Sequence, residues 1–440
     1  MKRSTSMTRN KVICLTIAVV MAIIYLLVAV LSQTLAESHT ETSTVWLSAG
    51  VAFGAMLTIR WQGRAAVLAG TWVGSLVWAL AAHRLTWAAS LAYSGIDPIS
   101  ILVGTALTLR IARGRKNTLL EATGLIAGAI VTAVLGATLA AEFWHWQRPD
   151  SLYSREWRTW AFSTAVGVLL VAPLVLSFRG FQIKRSGGMP MHQFAAGAML
   201  FTAFVSVISI VFAGDAQQRF GSIAATLAYL PMPLLLLTAL LWGPIGGAIT
   251  TLAGALVVIA LTGANGGPFQ VVNAFGDEAV IEVQAYVSVW VILVYLAQGL
   301  VSARREALAD AKNWQLRYER IMDALALVSV EFDVATGDAV WSDNVEAVLN
   351  VDPATLACLT DWTAWLAAAD RTRAEDALDA ITRGIQNTVT ATYHVREEFG
   401  ATIEVTLAGI PGPDGMVERV AGVLRTVPLL RASNAEIGHG

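Results

Sequence analysis

The distribution of apolar residues constrains this chain more than any other feature. Long apolar runs fill positions 12 to 302, and most of the charge lies after 303. Of the 440 residues, 55% are hydrophobic and only 14% are charged, against roughly 25% charged in a soluble domain. Such a pattern places the first three hundred residues in a bilayer. The predicted fold class is a polytopic α-helical membrane bundle of about ten spans, followed by a small α/β module. The spans fall at roughly 12–32, 45–60, 65–82, 86–110, 118–141, 159–178, 193–213, 222–241, 245–262 and 281–302. The second is short for a hydrocarbon core of about 30 Å. Eight spans with two re-entrant segments fit the same pattern. The basic start "MKRSTSMTRNK" precedes a run longer than a signal-peptide core and without a small-x-small cleavage site, so the first span is read as retained.

Loop charge sets the orientation. Arg60 and Arg64, then Arg110, Arg113, Arg115 and Lys116, then Arg179, Lys184 and Arg185, then Arg304 and Arg305 fall on one side. Glu37, Glu41, Asp150, Asp215, Asp277 and Glu278 fall on the other. The positive-inside rule then makes both termini cytoplasmic. Cys14 lies in the first apolar run and Cys358 in the polar part, so no disulfide framework is expected. The net charge of −2 argues neither way on nucleic acid, but no basic stripe with interleaved aromatics occurs, and no nucleic-acid partner is expected.

Three features of the membrane half suggest a site. In "YSGIDPIS", Asp97 precedes Pro98 in mid-span, where proline is expected to break the helix and the carboxylate to cap its second half or serve a function. The stretch "AEFWHWQRPDSLYSREWRTW" reads as an outer loop dense in tryptophan and charge. It offers Trp144, His145, Trp146 and Trp157, with Asp97, as candidate ligand-binding residues; the plain alternative is an interfacial aromatic belt. His39, His83 and His145, near Glu37, Glu41 and Glu142, share the predicted outer side but lack metal-ligand spacing, so no metal is expected. "AFGDEAV" (274–280) imitates the GGDEF signature of diguanylate cyclases without its strand–turn–strand context. No P-loop, no H-E-x-x-H and no serine nucleophile elbow occurs.

"VWLSAGVAFGAMLTIRW", "WAFSTAVGVLLVAPLVL" (Trp160 to Leu176) and "LPMPLLLLTALLWGPIGGAITTLAGALVVIALTGANGGPF", ending on Gly267, Pro268 and Phe269, occur in an order that resembles the type-one membrane-associated sensor domain, the MASE family. The likeness covers about positions 12 to 305. It departs from the family at Leu47 and Ser48, where a proline is usual after the tryptophan. Ser163 and Thr164 replace an acidic residue, and Trp242 an arginine. The resemblance implies a bacterial inner-membrane sensor module joined to a histidine kinase or a cyclic-di-GMP enzyme.

Beyond the last span, Ala307, Ala311, Trp314, Tyr318, Ile321, Leu325 and Val328 recur at spacings of 4 and 3, an a/d seam at period 3.5. Arg304, Arg305, Glu306, Lys312, Arg317, Glu319 and Arg320 keep the other faces wet. Ala311, Trp314, Tyr318, Ile321 and Leu325 are the expected contacts of a homodimer; a helix packed on its own module gives the same pattern. After Leu325 the order β-β-α-α-α-β-β-β is predicted, with turns at "ATGD", Phe399–Gly400 and Pro411–Gly415. That order, with "WLAAADRTR" (Trp365 to Arg373), "YHVREEFG" and "VAGVLRTV", resembles a PAS domain over 325 to 427. Asp370 and Arg371 are kept; Arg425, Thr426 and Val427 stand where the family's coupling Asp-Ile-Thr is usual. No cofactor is expected: Cys358 lies in "LACLT" rather than Asn-Cys-Arg, and no histidine lies from Asp370 to Asn387. His394 reads as an ordinary strand residue. Asp370, Arg371, Glu397 and Glu398 read as surface groups.

The domains expected are a membrane sensor (1–302), a signalling helix (303–325), a PAS module (326–427) and a tail (428–440). The expected function is an inner-membrane signal sensor, no enzyme itself, with a small-molecule or protein ligand. Its effector, a cyclic-di-GMP enzyme or histidine kinase, is expected outside these residues. The rival expectation is a transporter or channel built on Asp97–Pro98 with a regulatory PAS module.

Overall fold

A computed structural model describes residues 2–35, 44–112, 118–178, 189–214, 216–264, 266–271, 278–396 and 401–427. Of the residues singled out above, Glu37, His39, Glu41, Arg113, Arg115, Lys116, Arg179, Lys184, Arg185, Asp215, Ala274 to Asp277, Glu397, Glu398, the Phe399–Gly400 turn and the tail lie outside the described residues. The chain divides into two compact units, Met1–Glu306 and Ala307–Gly440.

The first unit is helical, as lipid demands: without water, backbone groups must bond within their own segment. Its helices are α1 (Lys2–Thr34), α2 (Leu47–Thr58), α3 (Trp61–Ala81), α4 (Trp87–Ser94), α5 (Ile96–Ile111), α6 (Thr118–Gln147), α7 (Tyr153–Ser177) and α8 (Met191–Phe212). Two short helices, α9 (Ala216–Phe220) and α10 (Ala224–Leu227), lead to α11 (Pro231–Gly263), and α12 (Glu278–Ala324) follows. Among the described residues, eight helical stretches are long and apolar enough to cross a membrane, and α2 is a shorter apolar helix of 12 residues.

The pattern departs from ten separate spans at two places. The expected second span is the short α2. The expected eighth and ninth spans form one apolar stretch, Ala224–Gly263. That stretch bends sharply at Gly243 (φ 70°, ψ −165°), a conformation that only glycine adopts freely. A Cβ on Gly247 would lie 3.1 Å from the Cβ of Ala239. In a straight helix, eight residues span about 12 Å, so the two halves fold back on each other. Gln298 pins the bend, its Nε2 donating to the carbonyls of Ala239 (3.2 Å) and Gly243 (3.0 Å).

Small residues let helices approach closely. A Cβ on Gly50 would lie 2.1 Å from the Gly167 carbonyl oxygen, and one on Gly167 would lie 2.0 Å from that of Trp46. The α2–α7 crossing therefore admits no side chain at either position.

The second unit holds β1 (Leu327–Asp333), β2 (Ala339–Trp341), α13 (Val345–Leu349), α14 (Leu359–Trp365), α15 (Ala368–Thr382), β3 (Thr388–His394), β4 (Thr402–Pro411) and β5 (Val417–Val427). These come in the predicted order. The five strands are antiparallel in the order β2-β1-β5-β4-β3, with Val330 opposite Gly422 and Val405 opposite Leu424. Alternation puts Val328, Val330 and Phe332 of β1 and Ile403, Val405 and Leu407 of β4 into one core. Trp362, Leu378 and Ile381 of the helices close over it.

Candidate functional site

Asp97 does not cap a broken helix. The break comes two residues earlier, at Gly95, between α4 and α5. Pro98 then falls in the first turn of α5, where a missing N–H costs no intrahelical bond. The carboxyl, 4% exposed, turns into the bundle. Its Oδ2 accepts from the Tyr25 hydroxyl (2.5 Å) and from Trp46 Nε1 (3.0 Å). A carboxyl buried within an apolar span is costly, which marks it as a candidate functional group.

Trp46 belongs to a short non-helical segment, Thr44–Trp46, that meets four other elements. Its own N–H donates to the Ser163 carbonyl of α7 (3.0 Å). The Leu47 N–H, which follows directly, donates to Ser32 Oγ of α1 (3.0 Å). The Thr44 carbonyl accepts from Gln284 Nε2 of α12 (2.7 Å). Through the Trp46 indole the segment reaches Asp97 of α5. Gln284 is fully buried, and its Oε1 has no partner among the described residues.

Aromatic rings extend from this centre. Trp46 lies against Tyr25 (6.3 Å between centroids) and Trp78 (5.8 Å). Trp78 leads to His83 (6.3 Å), and His83 to Tyr93 (5.2 Å) and Trp144 (5.3 Å). Tyr93 also meets Phe143 and Trp160. Most of these pairs meet edge to face, as aromatic quadrupoles prefer. The loop residue His83 lies 3.3 Å from the Tyr93 hydroxyl through Nε2. His83 as a whole is exposed, but the rings against its imidazole desolvate it, and this, ahead of the positive Arg148, holds its pKa below the ordinary 6.5. Arg148 itself sits over the Trp144 ring at 4.9 Å.

The structure thus divides the residues expected to bind ligand. Asp97 and Trp144 are buried, one at the hydrogen-bonded centre and one at the rim of the ring cluster. His145 and Trp146 are exposed. Trp157 is half-buried and donates from Nε1 to Thr138 Oγ1 (3.1 Å). The long loop expected there is mostly helix: α6 runs to Gln147 and α7 starts at Tyr153, because Phe143, Trp144 and Trp160 pack inward. Sequence reasoning misses Tyr25, Trp46 and Gln284 as members of this centre, and it places His83 only among the outer histidines. Polar residues inside apolar runs, Gln284 in "IEVQAYV" and Ser32 in "AVLSQ", are the signal that points to it. Among the described residues no group of three or more His, Cys, Asp or Glu can hold a metal ion.

In the second unit, Asp370 is no surface group. It is 7% exposed and accepts from the His394 backbone N–H (2.7 Å), and its Oδ2 lies 2.9 Å from His394 Nδ1. Arg373 pairs with it at 2.9 Å. The His394 backbone N–H, ahead of its ring and Arg373, holds this carboxyl below the usual carboxylate range against the opposing effect of burial. Arg371 donates to the carbonyls of Leu366 (3.2 Å) and Ala364 (3.1 Å). The seam residues Ala311, Trp314, Tyr318, Ile321 and Leu325 are all exposed, Trp314 at 69% and Leu325 at 61%. Met322, on another face, is buried.

Comparison with known proteins places the chain. No curated protein matches it. One solved structure that matches is a domain of a protein described as a putative light and redox sensing histidine kinase from Haloarcula marismortui. It has 20% sequence identity and a TM-score of 0.21, covering 23% of this chain and 90% of that one. The MASE1 family model matches residues 15–306. That span is well over half of the sequence and contains the whole Asp97–Trp46 centre, so the chain belongs to the MASE1 family of membrane sensor domains.

Proposed function

We propose that this multi-pass membrane protein is a bacterial inner-membrane signal sensor that works as a homodimer with both termini in the cytoplasm. A small-molecule or protein signal acts at the aromatic cluster around Asp97. The change passes along α12 to a PAS-type module, residues 326–427, and on to an effector of the cyclic-di-GMP or histidine-kinase class. One observation carries the reading. The Thr44–Trp46 segment ties the Asp97 centre to α12 by hydrogen bonds, through the Trp46 indole at one end and the Thr44 carbonyl, which accepts from Gln284, at the other. A ligand that displaces the Trp46 indole therefore strains the Gln284 bond and biases α12. Such a switch needs only a few kcal/mol of differential binding between two states.

The test uses α12 as its own reporter. Cysteines replace Trp314 or Ile321 in a Cys14→Ser, Cys358→Ser background, and disulfide formation between copies is measured in native membranes. Trp46→Phe removes the donor to Asp97 and Asp97→Asn alters the acceptor. Either change is expected to shift the cross-linking yield several-fold at unchanged protein level. An identical yield in both variants and the parent would disconnect the centre from α12 and end this reading.

A further inference from the structure

The first unit carries an open apolar groove of about 760 Å³. Leu293, Ala297 and Leu300 of α12, flanked by Leu296, form one wall, Met232 and Leu236 of α11 another, and Leu119 of α6 the end. Its lining is aliphatic apart from Tyr229 and one proline. Leu300 is 63% exposed, and Leu293 is exposed as well.

The spacing along α12 says what fills this space. Leu293, Ala297, Leu300, Arg304, Ala307 and the seam on to Leu325 keep one alternation of 4 and 3, apolar at every step except Arg304, itself one of the wet-face residues. The groove wall and the exposed seam are therefore one a/d stripe on a single helix, Glu278–Ala324. Stepping the other way, the next two positions are Trp290 and Tyr286, both buried in this chain's own core. So Leu293, Leu300 and the seam are exposed, Ala297 is half-buried, and the stripe is committed before Leu293. A lipid tail has no reason to match a period of 3.5, whereas a second helix does. Arg304 is the charged member at the membrane end of the stripe, and its long side chain can reach the headgroup level while its stem stays on the stripe.

We infer that the groove holds α12 of a second copy of this chain, so that the dimer interface enters the membrane and ends at Leu293. This rests on the dimeric reading above and extends it into the bundle unit. From Leu293 to Leu325 the stripe is about 48 Å long at 1.5 Å per residue. A straight helix would drift about 20° per heptad from such a stripe. The two copies of α12 therefore supercoil left-handedly, related by a two-fold axis that places like residues opposite each other. The groove between α12 and α11 gives the partner helix its seat, and Ala297 lets the backbones approach.

The experiment oxidises single cysteines in native membranes, again in the Cys14→Ser, Cys358→Ser background. Leu293→Cys, Ala297→Cys and Leu300→Cys are compared with Trp314→Cys on the seam and with Leu27→Cys, an exposed apolar position on α1. All three groove positions are expected to shift from a monomer to a dimer band as Trp314→Cys does, while Leu27→Cys stays monomeric. Ala297→Trp, which fills the groove, is expected to lower the yield of Leu300→Cys several-fold. If Trp314→Cys cross-links but the three groove positions do not, the groove inference fails and the dimer reading survives. If none cross-links, both fail. Labelling of Leu300→Cys by a thiol-reactive lipid analogue in place of dimer formation would assign the groove to an acyl chain and overturn the inference.

Discussion

At the scale of single residues, each unit buries a carboxyl with hydrogen-bond donors supplied to it, Asp97 in the first and Asp370 in the second. Asp370 offers the clearest measurement. Its carboxyl satisfies the backbone N–H and the ring of His394 at the end of β3. Asp370→Ala leaves that N–H without its acceptor, which costs about 1–3 kcal/mol. Because the folded carboxyl titrates below its usual value, its contribution is complete above the ordinary carboxylate pKa of 3.8 and is lost as the pH falls through the lower folded value. Thermal unfolding of the chain followed across about pH 2 to 6 is expected to show this acid loss in the parent and a flatter profile in Asp370→Ala. Equal profiles would mean that the pair contributes nothing. The sequence displays Asp370 inside "WLAAADRTR" but not its burial, since its partner His394 lies 24 positions away. The same holds for Asp97, legible as an anomaly inside an apolar span. Its partners Tyr25 and Trp46 are 72 and 51 positions distant and look like ordinary membrane aromatics.

At the scale of elements, periodicity and punctuation predict most helices and strands, and the misses have local causes. Aromatic residues that pack inward extend α6 and α7 into what reads as a loop, and Gly95 rather than Pro98 ends α4 because a proline in the first helical turn breaks nothing. Contacts between helices leave little mark in the sequence, and glycine marks the tightest. Gly167 of α7 faces the Trp46 carbonyl so closely that a Cβ there would sit 2.0 Å from its oxygen. The obstructing atoms are backbone, so they cannot rotate away as a side chain would. Gly167→Ala is expected to push the Thr44–Leu47 segment off α7 and destabilise the bundle by about 1–3 kcal/mol, the usual cost of overpacking. The same step draws the Trp46 indole away from Asp97. Melting in detergent and tryptophan emission read the two effects separately. A variant with unchanged melting and unchanged emission would show that the crossing is looser than its geometry states. Gly263→Ala is the matched control, since a methyl group there meets nothing within 4 Å.

For the whole molecule, the path of α2 decides the topology. A helix of 12 residues covers only about 18 Å, short of the roughly 30 Å hydrocarbon core, so its length alone does not place Arg60 and Arg64 on a given side. Its neighbours do. At one end, the Leu47 N–H meets Ser32 near the C-terminal end of α1. At the other, Cys14 Sγ approaches the Gln62 carbonyl at 3.9 Å, and a Cβ on Gly63 would lie 3.3 Å from Ile17, both near the start of the apolar part of α1. The stretch of α1 from Cys14 to Ser32 is about 27 Å long. With its flanks, α2 therefore runs back along nearly the full depth that α1 crosses, and Arg60 and Arg64 return to the side of the N-terminus. The fold-back at Gly243 lays the later half of its stretch along α8: the Leu241 carbonyl accepts from Gln193 Nε2 at the start of α8, while Gly267 N–H donates to the Gly214 carbonyl beyond its end. Crossing by α2 and by both halves of the fold-back gives ten crossings; the eight long apolar stretches by themselves give eight, and both counts are even. Reporter fusions after Arg64, Lys116, Arg185 and Arg305 are expected to read cytoplasmic, and fusions at Glu41, Asp150 and Asp277 periplasmic. A periplasmic signal after Arg64 would make α2 re-entrant and invert every later segment up to the next such turn. A periplasmic signal after Arg305 would put the second unit on the wrong side for an intracellular effector, and the sensor reading would fall with it.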